Sequence, residues 1–194
     1  MTRSHTPDRA LPGRPNAAER DPLDFYRTPR VAVEKLLDVE AFDGPIYEPA
    51  CGDGAISEVL IERGYRVLST DLVDRGYGLS GVNFLGPLPS LEVAPKHLIT
   101  NPPFRRMEEF AVRALNVVPG KVALLGRLLW LEGEARHRRL FAVAPPARVW
   151  IFSKRVNLAR GGDPRWRDGE GGMVAFAWYV WDPDHFGAPE LGWI

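Results

Sequence analysis

Residues 46–54 read IYEPACGDG, and the chain on both sides of them alternates between short apolar runs and amphipathic segments. The apolar start of this segment predicts a strand, and the small residues after it predict a turn that opens a helix. An ordinary strand–helix turn gives the same pattern. In a doubly wound sheet, however, such turns let the backbone approach a ligand beyond the carboxyl end of the strand. The segment therefore predicts a ligand site at this edge of an α/β domain.

The same alternation continues along the chain. Strands are predicted over residues 45–48, 65–70, 82–85, 97–100, 121–126, 148–152 and 173–181. One helix is predicted to begin at Thr28-Pro29, with Thr28 as its N-cap, and others over residues 55–63, 106–117 and 133–143. Strands that alternate with helices imply a mostly parallel, doubly wound sheet.

Length and composition suit one domain. The 194 residues hold a single cysteine, which excludes an internal disulfide and a cysteine-rich zinc site, and no metal site is predicted. The segment 1–22 carries four prolines and few large apolar groups, so we expect a disordered tail followed by one domain over residues 23–194. The chain shows no secretory signal and no membrane-spanning run, and we expect it in the cytoplasm.

The sequence NPPF, residues 101–104, follows the apolar run HLIT. Two prolines stiffen the backbone and leave carbonyls without competing N–H groups. The Asn101 amide oxygen and the Pro102 carbonyl can then both accept hydrogen bonds from one –NH₂ group. Phe104 offers a surface on which a planar substrate can stack. A plain turn is the alternative, but the pattern favours a site that holds an amine.

Acidic residues flank the other predicted turns. Glu48 and Asp53 border the glycine turn, where they would repel a pyrophosphate but not a ligand that carries an ammonium and a sulfonium group. Asp71 ends the next strand, where it can accept hydrogen bonds from ribose hydroxyls or simply cap a helix. Leu72 beside it could pack on an adenine face.

The segment from Lys121 to Arg167 contains eleven basic residues and three acids, although the whole chain has a net charge of zero. Such a segment is typical of a nucleic-acid contact, although a solvated helix face and a charged loop give the same composition. The length of the segment 154–172 predicts a mobile substrate loop. The candidate nucleic-acid ligands are Arg136, Arg139, Lys154, Arg155, Arg160, Arg165, Trp166 and Arg167.

These motifs and their order resemble the class I S-adenosylmethionine-dependent amino-methyltransferases, specifically the N6-adenine DNA group with the gamma-type order, including small phage and prophage enzymes. DFYRTP at residues 24–29 also resembles a motif of that family. The resemblance implies a Rossmann-like, mostly parallel seven-stranded sheet with one antiparallel strand, S-adenosyl-L-methionine as cofactor and DNA as partner. It implies that Asn101, Pro102, Pro103 and Phe104 hold the target. It also implies a cofactor pocket formed by Tyr26, Thr28, Glu48, Pro49, Ala50, Cys51, Gly52, Asp53, Asp71, Leu72, Asn83 and Phe84.

Two departures from that family stand out. Asn83 occupies the place of an acid that the family usually has, and no separate target-recognition domain is visible. Target recognition would then come from residues 154–172, a homodimer or a partner subunit. Methylation of cytosine C5 is excluded because the one cysteine, Cys51, lies in the glycine turn rather than in a Pro-Cys turn. RNA base amines, a protein glutamine, or a non-catalytic subunit with the same fold remain as alternatives.

Overall fold

The computed structural model describes residues 24–90, 92–160 and 174–194 of the chain. The predicted tail over residues 1–22 lies outside these ranges, as does the predicted substrate loop from residue 161 onward. Within the described ranges, every helix is too short or too polar to cross a lipid bilayer.

Nine strands and four α-helices are described in these ranges. In chain order the strands are β1 (Tyr26–Arg27), β2 (Ile46–Glu48), β3 (Val67–Ser69), β4 (His97–Thr100), β5 (Val122–Arg127), β6 (Arg148–Ile151), β7 (Ala159–Arg160), β8 (Phe176–Trp181) and β9 (Glu190–Trp193). The helices are α1 (Arg30–Val39), α2 (Ala55–Glu62), α3 (Met107–Val117) and α4 (Glu134–Arg136), which continues as a π-helix over His137–Phe141. Two 3₁₀ turns cover Phe104–Arg106 and Leu128–Leu131.

The main sheet has seven strands in the order β3-β2-β4-β5-β8-β6-β9, and β8 runs antiparallel to both of its neighbours. The other neighbouring pairs in this sheet are parallel. The predicted fold, a mostly parallel α/β sheet with one antiparallel strand, is confirmed. A separate two-stranded ribbon pairs β1 with β7.

Side chains of the central strands alternate between two buried layers. In β5, Ala123 and Leu125 pack in the layer that includes α1 and α2, whereas Val122 and Leu124 pack in the layer that includes α3. Both faces of the sheet are therefore covered, which explains why β5 and β8 read as continuous apolar runs. The layers leave the carboxyl edge of β2, β3 and β4 open between them.

Two local predictions are wrong, and one strand of the main sheet was not predicted. Residues 82–85 form a turn rather than a strand, because the Asn83 side chain accepts the N–H of Leu85 at 3.1 Å and its carbonyl accepts the N–H of Gly86 at 3.0 Å. The seventh strand is instead β9, at the end of the chain. Thr28 does not cap α1, whose first residue follows Pro29 without a side-chain cap.

Candidate active site

The carboxyl ends of β2, β3 and β4 border one cleft, which the segment before α1 closes from the side. Parallel strands end at a common edge, so the residues that follow them are brought together. Predicted site residues that line this cleft are Tyr26, Thr28, Glu48, Pro49, Ala50, Cys51, Asp53, Asp71, Leu72, Asn83, Phe84, Asn101 and Pro103. The structure thus gathers motifs that are up to 75 residues apart, as in the contact of Asn101 with Tyr26.

The glycine turn after β2 needs two residues without side chains. Gly52 and Gly54 have φ angles of +56° and +87°, which favour glycine. A Cβ atom at Gly52 would collide with the ring of Phe25, and one at Gly54 would come within 2.5 Å of the Tyr77 ring. These glycines therefore bring backbone close to two aromatic rings at the cleft.

Asp71 connects this turn to the loop after β3. Its Oδ2 accepts the N–H of Gly52 at 2.8 Å, and its Oδ1 accepts the N–H of Val73 at 2.8 Å. Each carboxylate oxygen has a second lone pair, so the group can accept further hydrogen bonds. Asp71 therefore fixes the glycine turn and still presents acceptor capacity to the cleft that it lines.

Asn101 presents a fixed acceptor. Its Nδ2 donates to the backbone carbonyl of Tyr26 at 2.8 Å and to Thr28 Oγ1 at 3.1 Å. A carbonyl can only accept, so the nitrogen must face Tyr26 and the oxygen must face the other way. That oxygen, Oδ1, is buried and has no hydrogen-bond partner among the described residues. A buried unpaired acceptor costs about 1–3 kcal/mol, which a ligand that donates a hydrogen bond would recover.

The two prolines after Asn101 lead into a 3₁₀ turn. The Pro103 carbonyl accepts the N–H of Arg106 at 2.9 Å. Among the described residues, no such bond ends on the carbonyl of Pro102, whose side chain is buried. Pro102 itself is not among the residues that line the cleft, so a ligand that reaches its carbonyl would have to enter beyond that lining.

Phe104 packs against other side chains. Its ring stacks on Tyr26 with centroids 5.4 Å apart, lies 5.7 Å from Phe176, and has the Arg127 guanidinium 5.0 Å from its centroid. A planar substrate that stacks on Phe104 would therefore take the place of one of these neighbours.

Asp53 and Arg27 form an ion pair beside the glycine turn, with Arg27 Nε 2.6 Å from Asp53 Oδ2. The other carboxylate oxygen, Oδ1, is buried and unpartnered among the described residues. A carboxylate beside a guanidinium can bind both ends of an α-amino acid, since the acid accepts from the ammonium and the arginine donates to the carboxylate.

Glu48 differs from the other two acids because it is almost completely buried. Ser57 Oγ donates a short hydrogen bond to it. Burial raises the pKa of Glu48 well above its usual 4.5, the charges of Asp71 and Asp53 raise it further, and Ser57 opposes the shift only in part. Burial also raises the pKa of the Cys51 thiol, to about 12, with Glu48 as the next cause. Burial therefore disfavours the charged form of Glu48.

Apolar side chains form part of the cleft lining. Leu72 is 58% exposed, and Phe84 is buried against Tyr47 and Phe110, with ring centroids 5.8 Å and 5.0 Å away. Asn83 Oδ1 already accepts the N–H of Leu85, so its amide holds the loop as well as facing the cleft.

The predicted nucleic-acid residues fall into three groups. Arg139 forms a two-pronged ion pair with Glu108 at 2.7 Å and 3.1 Å, and Arg136 Nη1 donates to the carbonyl of Trp130 at 2.7 Å. Lys154 and Arg155 lie on the exposed segment after β6. The backbone of Arg160 pairs with Tyr26 in the β1–β7 ribbon, while Arg165, Trp166 and Arg167 lie outside the described residues. The chain after β6 therefore returns to the segment that holds Asn101.

Sequence reasoning did not single out several residues at these sites. Arg27, within DFYRTP, pairs with Asp53, and Arg75 lies 4.0 Å above the Phe25 ring at the cleft. Arg127 at the end of β5 reaches Phe104. Only Arg27 had a local signal, because it stands inside a quoted motif.

No family model and no curated protein matches this chain. The chain is similar to a solved structure assigned as an RNA methyltransferase from Pyrococcus horikoshii, with a TM-score of 0.58 and 14% identity over 82% of this chain and 88% of that one. It is also similar to a structure assigned as a class I S-adenosylmethionine-dependent methyltransferase from Listeria monocytogenes, with a TM-score of 0.60 and 12% identity over 91% and 68% of the two chains. A dimethyladenosine transferase from Plasmodium falciparum gives a TM-score of 0.54 at 14% identity, over 82% of this chain and 63% of that one. The chain therefore has the class I methyltransferase fold.

Proposed function

We propose that this chain is an S-adenosylmethionine-dependent methyltransferase that acts on an exocyclic amine, adenine N6 in DNA. The observation that carries the proposal is the buried Oδ1 of Asn101, which has no partner among the described residues. Its amide is held by Tyr26 and Thr28 in the one orientation that presents the oxygen as an acceptor. An acceptor of this kind suits a substrate that donates N–H.

The cleft fits the cofactor at three points. Asp53 and Arg27 suit the ammonium and carboxylate of its amino-acid end, and the unpartnered Asp53 Oδ1 is the acceptor that such an ammonium needs. Asp71 has acceptor capacity for ribose hydroxyls, and Leu72, Phe84 and Asn83 form the part of the cleft that suits an adenine ring. The acidic residues of the cleft would stabilise the positive charge of the cofactor's sulfonium group.

For this reaction the protein mainly has to position the target amine and stabilise charge during the transfer. When bound, S-adenosylmethionine supplies an electrophilic methyl group. Asn101 Oδ1 and the Pro102 carbonyl accept the two amine N–H groups, which fixes the nitrogen and turns its lone pair out of conjugation with the ring. An aromatic amine is too weakly acidic to lose a proton before transfer, so the neutral Asn101 suits it. Transfer would form the N–C bond as the methyl–sulfur bond breaks, with a neutral thioether as the leaving group, and the proton would then leave the amine to water.

DNA is favoured by the resemblance of the DFYRTP segment to a motif of the N6-adenine DNA group, and a nucleic acid in general is favoured by the basic residues that follow β5. RNA is the second candidate. It is favoured by two fold neighbours whose names describe an RNA methyltransferase and a dimethyladenosine transferase. A protein glutamine also offers a planar, conjugated –NH₂ but no polyanion for the basic residues. With the one domain described, target recognition would come from residues 154–172, a second copy or a partner subunit.

The experiment is a cofactor titration followed by methyl transfer. Calorimetry measures binding of S-adenosylmethionine, and a labelled methyl group then traces transfer to pools of duplex DNA, RNA and protein. We expect binding and label in DNA. Binding with label in RNA or protein would keep the chemistry and change the substrate, and binding without transfer to any pool would indicate a non-catalytic subunit.

A further inference from the structure

A second cavity lies on the far side of the NPPF turn from the cofactor cleft. The side chains of Asp24 and of the turn itself separate the two spaces, because Asp24 and Pro103 line the cleft whereas Asp24 and Phe104 line the second cavity. The other residues that line this cavity are Arg105, Met107, Arg127, Leu129, Trp130, Glu132, Gly133 and Arg136. It is therefore open to a part of the substrate that flanks the target amine.

Topology explains how Arg127 reaches this place. β4 and β5 are parallel neighbours, with Thr100 beside Leu124, so the residues that follow both strands emerge at the same edge. Arg127 is the last residue of β5, and the Tyr179 hydroxyl donates to its backbone carbonyl at 2.8 Å. Its guanidinium lies 5.0 Å from the centroid of the Phe104 ring. The cation is thus held next to the NPPF turn.

Two of the three arginines that line the cavity, Arg127 and Arg136, differ in their contacts, although the Nε atoms of both are buried without a hydrogen-bond partner among the described residues. Arg136 donates from Nη1 to the carbonyl of Trp130, lies 5.2 Å above the Trp130 ring, and has Nε 3.8 Å from Glu108. Arg127 makes no hydrogen bond and no ion pair through its side chain within the described parts of the chain, and its Nε is buried. A partly buried guanidinium without an anion is costly, so its charge is available to a ligand.

Charge and surface in the cavity point to one class of ligand. Three arginines face two acids there, and the Asp24 carboxylate already accepts the backbone N–H of Arg105 at 3.1 Å. Leu129, 73% exposed, adds an apolar surface suited to a sugar or a base. A guanidinium fork matches the geometry of a phosphate, and aromatic and apolar side chains beside it match nucleotides.

We propose that Arg127 binds a phosphodiester of the substrate strand next to the target nucleotide, in the cavity that Phe104, Trp130 and Arg136 enclose. The inference deepens the function proposed above and rests on it. Binding of this phosphate holds the strand in register, so that the flanking backbone lies on one side of the NPPF turn and the target amine reaches Asn101 on the other.

The test compares duplex oligonucleotide binding across salt concentrations, by fluorescence anisotropy, for the wild type and for Arg127→Met, Arg127→Lys and Arg66→Gln. Arg127→Met keeps much of the side-chain volume but removes the charge. It should lower the slope of log affinity against log salt by about one unit and weaken binding about fivefold at 0.15 M salt. Arg127→Lys should restore most of the slope. Arg66, exposed and directly before β3 at the opposite edge of the sheet, is the matched control and should change neither quantity.

Thermal unfolding and methyl transfer by the same variants separate the possible outcomes. An Arg127→Met variant with a wild-type salt slope overturns this inference, whether or not its stability changes. If the salt slope is unchanged and adenine is still methylated, the proposed function stands but the phosphate site at Arg127 does not. A slope that falls as expected, in a protein that transfers no methyl group, supports the phosphate site and overturns the function. A wild type that binds no oligonucleotide overturns both.

Discussion

The Asn101 amide nitrogen donates to Thr28 Oγ1 at 3.1 Å, and this contact joins the turn after β4 to the segment that precedes α1. The Tyr26 carbonyl takes the other amide hydrogen at 2.8 Å. Both donors of Asn101 are therefore used within the protein, and its oxygen is left as the acceptor at the cleft. The residues before α1 thus orient the group that is proposed to hold the target amine.

Thr28 provides the sharpest variant of this contact. Thr28→Val keeps the shape of the buried side chain but removes the acceptor, so Asn101 is held by Tyr26 alone. One hydrogen bond is worth about 1 kcal/mol, and we expect kcat to fall about fivefold. Thr28→Ser restores the hydroxyl and should restore kcat. Equal kcat values for the Val and Ser variants would show that the contact only stabilises the fold.

Asp71 should matter for cofactor binding and for the glycine turn. Asp71→Ala leaves the N–H groups of Gly52 and Val73 without their acceptor and removes the proposed partner of the ribose hydroxyls. Because a hydrogen-bonding group left without its partner costs about 1–3 kcal/mol, we expect the dissociation constant of the cofactor, measured by calorimetry, to rise at least several-fold. Asp74 is the matched control, since it accepts the N–H of Gly76 at 3.0 Å in the same loop but does not line the cleft. Asp74→Ala should leave the affinity unchanged, and an equal loss in both variants would contradict a specific role for Asp71.

The buried carboxyl group of Glu48 should make the folded protein less stable as pH rises. Its pKa in the folded protein lies above the usual 4.5, so the unfolded chain releases this proton at lower pH than the folded one. Relative to Glu48→Gln, the wild type should lose up to about 1.4 kcal/mol of unfolding free energy per pH unit above the unfolded pKa, until the folded pKa is passed. Denaturant unfolding of both proteins from pH 4 upward measures the difference. A constant difference across that range would mean that Glu48 titrates normally.

Glu40 should behave in the opposite sense. Burial acts to raise its pKa, but hydrogen bonds from Arg148, Lys121 and Trp150 outweigh burial and lower the pKa below its usual 4.5. Its stabilising effect is therefore present above the unfolded pKa and is lost as pH falls through the folded pKa. Removing one partner from a buried ion pair costs about 3–5 kcal/mol, so Glu40→Gln should lower the unfolding free energy by about that amount at pH 7. The gap between the two proteins should narrow in acid, and a gap that widens in acid would contradict the ion-pair account.

The central strands β4, β5 and β8 were predictable because they are buried on both faces and therefore read as apolar runs. Residues 82–85 were predicted as a strand because Val82 and Phe84 are apolar and flank the polar Asn83. In the structure the Asn83 side chain accepts the N–H of Leu85 and closes a turn. β9 was missed because its four residues, ELGW, include a glycine, are mostly exposed and follow a glycine- and proline-rich segment.

Motifs of the candidate site were predictable wherever one short segment carries the chemistry, as NPPF and the glycine turn do. Contacts between distant segments were not. The Thr28 hydroxyl was expected to cap α1 but bonds to Asn101 instead, because the chain before α1 passes over the end of β4. The position of Arg127 over Phe104 likewise depends on the pairing of β4 with β5, for which no local pattern exists.

Identification of the methylated atom tests the central claim most directly. Duplex DNA is incubated with the protein and S-adenosylmethionine, digested to nucleosides and analysed by mass spectrometry, with Asn101→Ala alongside. The account predicts N6-methyladenine with the wild type, and none with Asn101→Ala even though that variant still binds the cofactor. A methyl group on any atom other than an exocyclic amine, or near wild-type turnover by Asn101→Ala, would contradict it.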